Sequence, residues 1–323
     1  MGLVIRKPIE SMEQWAIDRR KYIGASEVPI VAGVDGRFAS KAILFAEKKG
    51  LRPPQTDNAA MRRGRLGEGA CLEALCEEHP DWQVARAKVH VIDEDHRLAC
   101  TPDAAAVRPD YDGVGIVQCK VIARSMWRQK WLDEPDGSIH GPASAPPAYY
   151  LQTLTEMMLN ETQWGVLAVL IVGEYEWLFR LIDVERNAAI EDRIIFDVDF
   201  FWREYLDPGI MPPLEPERDE VLIKHLYPKD NGSTVDLTGD NRALALVEDL
   251  AETKAGLKRL RDAETALTVE LQAKLGDHTY GILADGRAVS WKAHHRKAYS
   301  VNATDYRVLR VLKHAPHKES DDD

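Results

Sequence analysis

Asp103, Gln118 and Lys120 are the residues whose types and spacing first suggest chemistry. They fall in TPDAAAVRPDYDGVGIVQCKVI, residues 101–122, which reads as two short strands around an Asp112-Gly113 turn. Side chains alternate across a strand. Gln118 and Lys120 therefore share one face of the apolar run Gly115 to Val121, and Val117, Cys119 and Val121 share the other. Hydrolysis of a phosphodiester at neutral pH calls for a divalent cation that activates water and neutralises phosphate charge. Magnesium takes one or two carboxylates together with water and substrate oxygens, and Asp103 at a strand end suits that role. Lys120 can hold or deprotonate the attacking water, or offset the charge of the phosphate. An aspartate and a lysine at turns and strand ends are more often simply solvated, so the spacing by itself leaves both readings open.

The surrounding pattern is helices, strands, a helix, strands and a helix, which predicts an α/β fold around a mixed sheet. SMEQWAIDRRKYIGASEVPIVAG predicts a helix over about 11–21, a turn at Gly24 and a second helix capped by Ser26. SKAILFAEKKG is a helix stopped by Gly50. NAAMRRGRLGEGACLEALCEEH follows, with Asn58 as cap and Met61, Leu66, Leu72 and Leu75 as its apolar side. Gly64, Gly67 and Gly69 each cost about 1 kcal/mol relative to Ala inside a helix, so a close approach to that backbone is expected. WQVARAKVHVI, RLACTPDAAAV and GIVQCKV read as strands, DEPDGSIHGPASAPP as a looser segment, and AYYLQTLTEMMLN as a helix beginning after the prolines. WGVLAVLIVGEYEWLFRLI is a hairpin turning near Gly173, and VERNAAIEDRIIFDVDFFWREYL is an amphipathic helix ended by Pro208-Gly209. Residues 207–323 form a C-terminal extension: a proline-rich strap, a long helix at 241–275 with leucines at near-heptad spacing, a hairpin at Asp285-Gly286 and an acidic tail.

The chain of 323 residues has a formal net charge of −11, which argues against a surface coated for nucleic acid. A nucleic-acid contact must then be local, at Arg19-Arg20-Lys21, at Arg62, Arg63 and Arg65, or at Arg124, Arg128 and Lys130. Each cluster taken alone is equally a solvated face. Cys71, Cys76, Cys100 and Cys119 lack metal-site spacing and are expected as buried thiols. No apolar run of about 18 residues occurs and no signal-peptide stretch opens the sequence, so the expectation is a cytoplasmic protein with no membrane contact.

MRRGRLGE, CTPDAAAV, VQCK and AYYLQTLTEMML stand in the order, and at roughly the separations, of the phage lambda exonuclease and YqaJ-type viral recombinase family. RRKYIGAS resembles the family's early Arg-x6-Ser segment through Arg19 and Ser26, and Pro102-Asp103 supplies a literal PD. The resemblance spans about residues 11–182 and implies a PD-(D/E)-x-K nuclease core at 1–206, with a mixed sheet flanked by helices. It implies Glu68 as the helix glutamate, Asp103 as the central metal ligand, Lys120 as the catalytic lysine and Gln152 as a helix glutamine near the site. Arg19 and Ser26 match positions associated with the 5′-phosphate of a DNA end. Gln118 departs from the pattern, which usually has glutamate. Its carbonyl oxygen can still ligate a cation, at the loss of one negative charge.

The implied function is a Mg2+-dependent exonuclease, with Mn2+ as an alternative metal, that degrades linear duplex DNA 5′ to 3′ and leaves 3′ tails for annealing. Implied with it are a ring-shaped homo-oligomer, a single-strand annealing protein as partner, and a phage or prophage origin. Two other readings stay open: a DNA-end-binding protein with a decayed site, and an interaction module on a nuclease scaffold.

Overall fold

The computed structural model describes residues 4–8, 11, 17–34, 39–52, 58–87, 89–131, 145–298, 300, 303 and 306–312, with only the backbone at 128–130. The strands are β1 Val4–Pro8, β2 Ile23–Gly24, β3 Gln83–Arg86, β4 Val89–Asp93, β5 Leu98–Cys100, β6 Ala104–Val107, β7 Gly115–Ala123, β8 Trp164–Val172, β9 Trp177–Glu185, β10 Tyr280–Ile282 and β11 Ala288–Ser290. The helices are α1 Val28–Val31, α2 Lys41–Lys48, α3 Ala59–Glu78, α4 Arg124–Lys130, α5 Pro147–Asn160, α6 Ala188–Phe201, α7 Pro216–Leu226 and α8 Asn241–Leu275.

Among the described residues the strands form a five-stranded sheet in the order β3-β6-β7-β8-β9, a four-stranded sheet in the order β1-β4-β5-β2, and the β10-β11 hairpin. The larger sheet is mixed: β7 and β8 run parallel, while β3-β6, β6-β7 and β8-β9 are antiparallel. This is the α/β architecture that the element order predicts.

WQVARAKVHVI and RLACTPDAAAV each contribute strands to both sheets, and not one strand apiece. The chain changes sheet between Arg86 and Val89, and again across Thr101-Pro102-Asp103. Proline lacks the N–H that a continuing ladder would use, which breaks the second run.

Ser40 and Asn58 cap their helices as expected, accepting from Ile43 N at 3.0 Å and Met61 N at 2.9 Å. Ser26 caps nothing. A 3-10 turn covers Ala25–Glu27, and the Glu27 carboxylate accepts from Gly24 N at 2.7 Å instead. Part of the expected 11–21 helix and most of the looser 133–147 segment lie outside the described residues, as does the acidic tail.

Two of the three helix glycines in α3 have close neighbours. A Cβ at Gly67 would stand 3.0 Å from the Val121 methyls, and one at Gly69 would stand 2.9 Å from the Arg86 guanidinium. At Gly64 a Cβ would meet nothing within 4 Å. The helix buries Cys71, Leu72 and Leu75 on the sheet, while Met61 and Leu66, expected on its apolar side, are exposed. Of the cysteines, Cys71, Cys100 and Cys119 are buried and Cys76 is exposed.

Helix α5 is wedged between the sheets. Leu151, Leu154, Met158 and Leu159 join a core with β2, β4 and β5 residues such as Ile23, Val91 and Leu98. Met157 packs with Ile116, Ile122 and Leu167 of the larger sheet. With apolar cores on two sides, even Thr153, Thr155 and Glu156 lose contact with solvent.

The chain divides at Leu226/Tyr227, later than the expected 206/207. The reason is α7. Leu222 packs on Ala42 and Ala46, and buried Asp219 accepts from the Ser40 hydroxyl and from Glu215 N. In the second unit, α8 runs from an Asp240 cap to Gly276, with Leu246, Leu257, Leu260, Leu267 and Leu271 exposed. No described helix is long and apolar enough to cross a membrane.

Gly115 sits where a Cβ would overlap the buried Trp164 indole. Gly115→Ala is expected to destabilise the first unit by about 2 kcal/mol through overpacking, read as a lower urea midpoint at unchanged slope.

Candidate active site

The pairing of β6 with β7 begins at Ala104↔Val117, so Cys119 N–H lies beyond the last rung. The Asp103 carboxylate takes its place, accepting from Cys119 N at 2.7 Å and from the amide nitrogen of Gln118. Strand alternation is as expected. Val117, Cys119 and Val121 pack toward Cys71, Leu72 and Leu75 of α3. Gln118 and Lys120 stand between Ile116 and Ile122 on the face toward α5.

On that face they meet Gln152. Its Oε1 accepts from Lys120 Nζ at 3.0 Å, and its Nε2 donates to Gln118 Oε1 at 3.0 Å and to Glu156 Oε1 at 3.0 Å. The Lys120 ammonium also lies 5.1 Å from the Tyr149 ring centroid. A continuous hydrogen-bonded chain thus runs from Asp103 through Gln118 and Gln152 to Lys120 and Glu156.

Three carboxyls gather here and all hold protons more tightly than usual. Burial raises the pKa of Asp103, opposed by the Lys120 charge and the Cys119 N–H. Partial burial and then the Asp103 charge raise that of Glu68, opposed by Arg86, which donates to Glu68 at 3.3 Å. Burial, with the Asp103 charge behind it, pushes Glu156 up to about 8. Its Oε2 is buried without a hydrogen-bond partner.

Arg19 and Ser26 face a cavity of about 200 Å³ that Gln152 and Glu156 also line, together with Tyr22, His90, Cys100 and Thr101. Arg19 is held by Glu27 at 3.0 Å, and Ser26 Oγ lies 3.5 Å from the same guanidinium. Glu27 is itself paired with buried Lys48 at 2.5 Å.

The structure therefore brings Asp103, Gln118, Lys120 and Gln152 into one bonded cluster. Glu68 lies within electrostatic reach of Asp103, and Arg19 and Ser26 sit in the cavity that shares Gln152. Glu156 and His90 are additions that the sequence reading missed. Glu156 stands one helical turn after Gln152, on the same face, which is the signal that marks it. His90 is one of two polar residues, with Asp93, in the otherwise apolar strand β4.

As a metal centre, the candidate donors are the carboxylates of Asp103 and Glu68, the amide oxygen of Gln118 and the nearby Cys119 carbonyl, all hard oxygens of the kind Mg2+ takes. Among the described residues no group of three or more His, Cys, Asp and Glu side chains is placed to hold a metal. The amide nitrogen of Gln118 is turned toward Asp103 and the Cys119 carbonyl. The donor chemistry fits, provided that the Gln118 amide reverses.

The mixed α/β core places Pro102-Asp103 at one strand start and Gln118-x-Lys120 on the next, beneath a helix supplying Gln152, so an amide stands at the middle of the cluster. Residues 14–163 match the YqaJ-like viral recombinase domain, the family that the motifs resemble. The uncharacterized protein YqaJ of Bacillus subtilis strain 168 is 24% identical over 293 residues, 87% of this chain and 83% of that one. Among solved structures, an alkaline exonuclease from Laribacter hongkongensis is 22% identical at a TM-score of 0.46, covering 62% of this chain and 94% of that one. A phage related exonuclease from Haemophilus somnus 129PT is 12% identical at a TM-score of 0.44, covering 58% and 95%.

The proton held by Glu156 makes stability pH-dependent. The unfolded carboxyl titrates near its ordinary 4.5 and the folded one near 8, so the folded state binds the extra proton between these values. Stability from this group is complete below the unfolded pKa and is lost as pH rises toward the folded one. Denaturant midpoints of the wild type are expected to fall between about pH 5 and about pH 9, and Glu156→Gln to flatten that fall. Equal slopes in the two proteins would remove Glu156 from the titration.

Proposed function

We propose that the chain is a Mg2+-dependent exonuclease that digests linear duplex DNA from its 5′ ends, leaving 3′ single strands for recombination by annealing. The observation that carries the reading is the hydrogen-bonded cluster of Asp103, Gln118, Lys120 and Gln152 beside Glu68, in a YqaJ-like domain. Asp103 and Glu68 would hold the cation, joined by the amide oxygen of Gln118 once that amide turns from Gln152. When bound, it supplies Lewis acidity and neutralises phosphate charge, and Mn2+ suits the same donors.

The protein's own groups do the rest. Lys120, fixed by Gln152, presents a positioned cation to the scissile phosphate and can hold the attacking water. Gln152 orients both Lys120 and Gln118. Arg19 and Ser26 receive the terminal 5′-phosphate, since a guanidinium makes strong charge-assisted bonds to phosphate oxygens. Arg62, Arg63 and Arg65 are exposed on α3, a local basic patch on an acidic chain. That patch suits the backbone of a duplex. The proposal extends to a homo-oligomeric ring around DNA and to a single-strand annealing protein as partner.

One observation favours a second reading, a DNA-end-binding protein that does not cut. The Gln118 amide donates to Asp103, where a glutamate would add negative charge. Release of acid-soluble nucleotides from linear duplex DNA in Mg2+ separates the two, since a pure end-binder releases none.

In the cutting protein, Asp103→Asn and Lys120→Ala are each expected to slow release by at least about a hundredfold. Asparagine is the better probe at 103 because alanine would strand the Cys119 N–H at about 1–3 kcal/mol. Wild-type rates in either folded variant would overturn the site. Gln118→Glu restores an acidic donor and is expected to lower the half-saturating Mg2+ concentration severalfold. An unchanged metal requirement would place residue 118 outside the coordination sphere.

A further inference from the structure

His90 enters the cavity from strand β4 and has no part in the cluster described above. It is 7% exposed, and its Nδ1 lies 3.0 Å from the Thr101 hydroxyl. Its other ring nitrogen, Nε2, is buried with no hydrogen-bond partner. Leaving such a group unpaired costs about 1–3 kcal/mol, so a buried nitrogen at a cavity wall points to a ligand.

The identity of the other wall groups narrows that ligand. Arg19 supplies a fixed cation and Ser26 a hydroxyl. Glu156 lines the same space, and its Oε2 is buried without a hydrogen-bond partner. Because burial keeps that carboxyl protonated at neutral pH, it offers a hydroxyl and no opposing charge. Burial and the Arg19 charge likewise keep the imidazole of His90 neutral. A neutral imidazole carries one N–H. The Thr101 hydroxyl can donate to Nδ1, and in that arrangement the ring proton resides on Nε2.

We propose that His90 is a ligand-contacting residue, its Nε2–H joining Arg19 and Ser26 as a donor to the terminal phosphate monoester of a DNA strand. Thr101 is the positioning residue that selects the tautomer. This inference rests on the proposed reading of the Arg19 and Ser26 cavity and adds to it the group that separates a phosphorylated end from a hydroxyl end. A hydroxyl leaves Nε2–H unpaired, whereas a phosphate oxygen satisfies it.

The test uses the full chain and short duplexes with a 5′-phosphate or a 5′-hydroxyl, bound in EDTA so that no cutting intervenes. Wild type is expected to bind the phosphorylated duplex more tightly. His90→Phe, which keeps ring volume but removes both nitrogens, is expected to lose about tenfold of that preference, as for a hydrogen bond to a charged group. His90→Gln, whose amide nitrogen reaches nearly as far as Nε2, is expected to keep most of it.

Arg19→Ala separates the failures. Loss of preference in Arg19→Ala with full preference in His90→Phe overturns the role of His90 and leaves the cavity reading standing. No preference in the wild type overturns both. Should His90→Phe not fold, the wild type decides through 15N shifts of its histidine rings. The Nε2 signal of His90 is expected to move with the phosphorylated duplex and not with the hydroxyl one, and an unmoved signal overturns the proposal.

Discussion

The amide of Gln152 allows polar chemistry to sit between an apolar sheet and an apolar helix. Gln118 and Lys120 leave water when they turn toward α5, and unpaired they would cost several kcal/mol. One side chain answers both: its oxygen accepts from Lys120, and its nitrogen donates to Gln118 and Glu156. Because α5 is pinned on two sides by separate apolar cores, the amide is fixed in place. Gln152 also lines the cavity of Arg19, so the cluster at Asp103 and the cavity share a wall.

The electrostatics are those of a place prepared for positive charge. Asp103, Glu68 and Glu156 all bind protons more firmly than free carboxyls do, in each case led by burial and deepened by a neighbouring charge for Glu68 and Glu156. Lys120 answers part of that demand. A net charge of −11 is compatible with such a site, since the relevant field is local.

Much of this was legible from residue order. Period-two alternation placed Gln118 and Lys120 together because β7 is buried on both faces, so a polar pair in it must have a purpose. Ser40 and Asn58 announced their helix starts, and Gly67 and Gly69 announced the close approach of Val121 and Arg86. The sheet changes were hidden, because LACTPDAAAV is a nearly continuous run of small and apolar residues and only Pro102 punctuates it. Glu156 and His90 were hidden because burial without a partner is a property of packing. Helix α7 looked like linker because it lies in a proline-rich stretch with a single deeply buried leucine, Leu222, and the Ser40 to Asp219 bond spans 179 positions.

Thr101, Pro102 and Asp103 have one further consequence. The first of them borders the cavity, the last carries the carboxylate of the cluster, and between them stands a residue whose ring locks the backbone. The cavity wall and the cluster are joined by two peptide bonds with one stiff torsion, so a displacement at Thr101 is passed along the main chain to the Asp103 carboxylate.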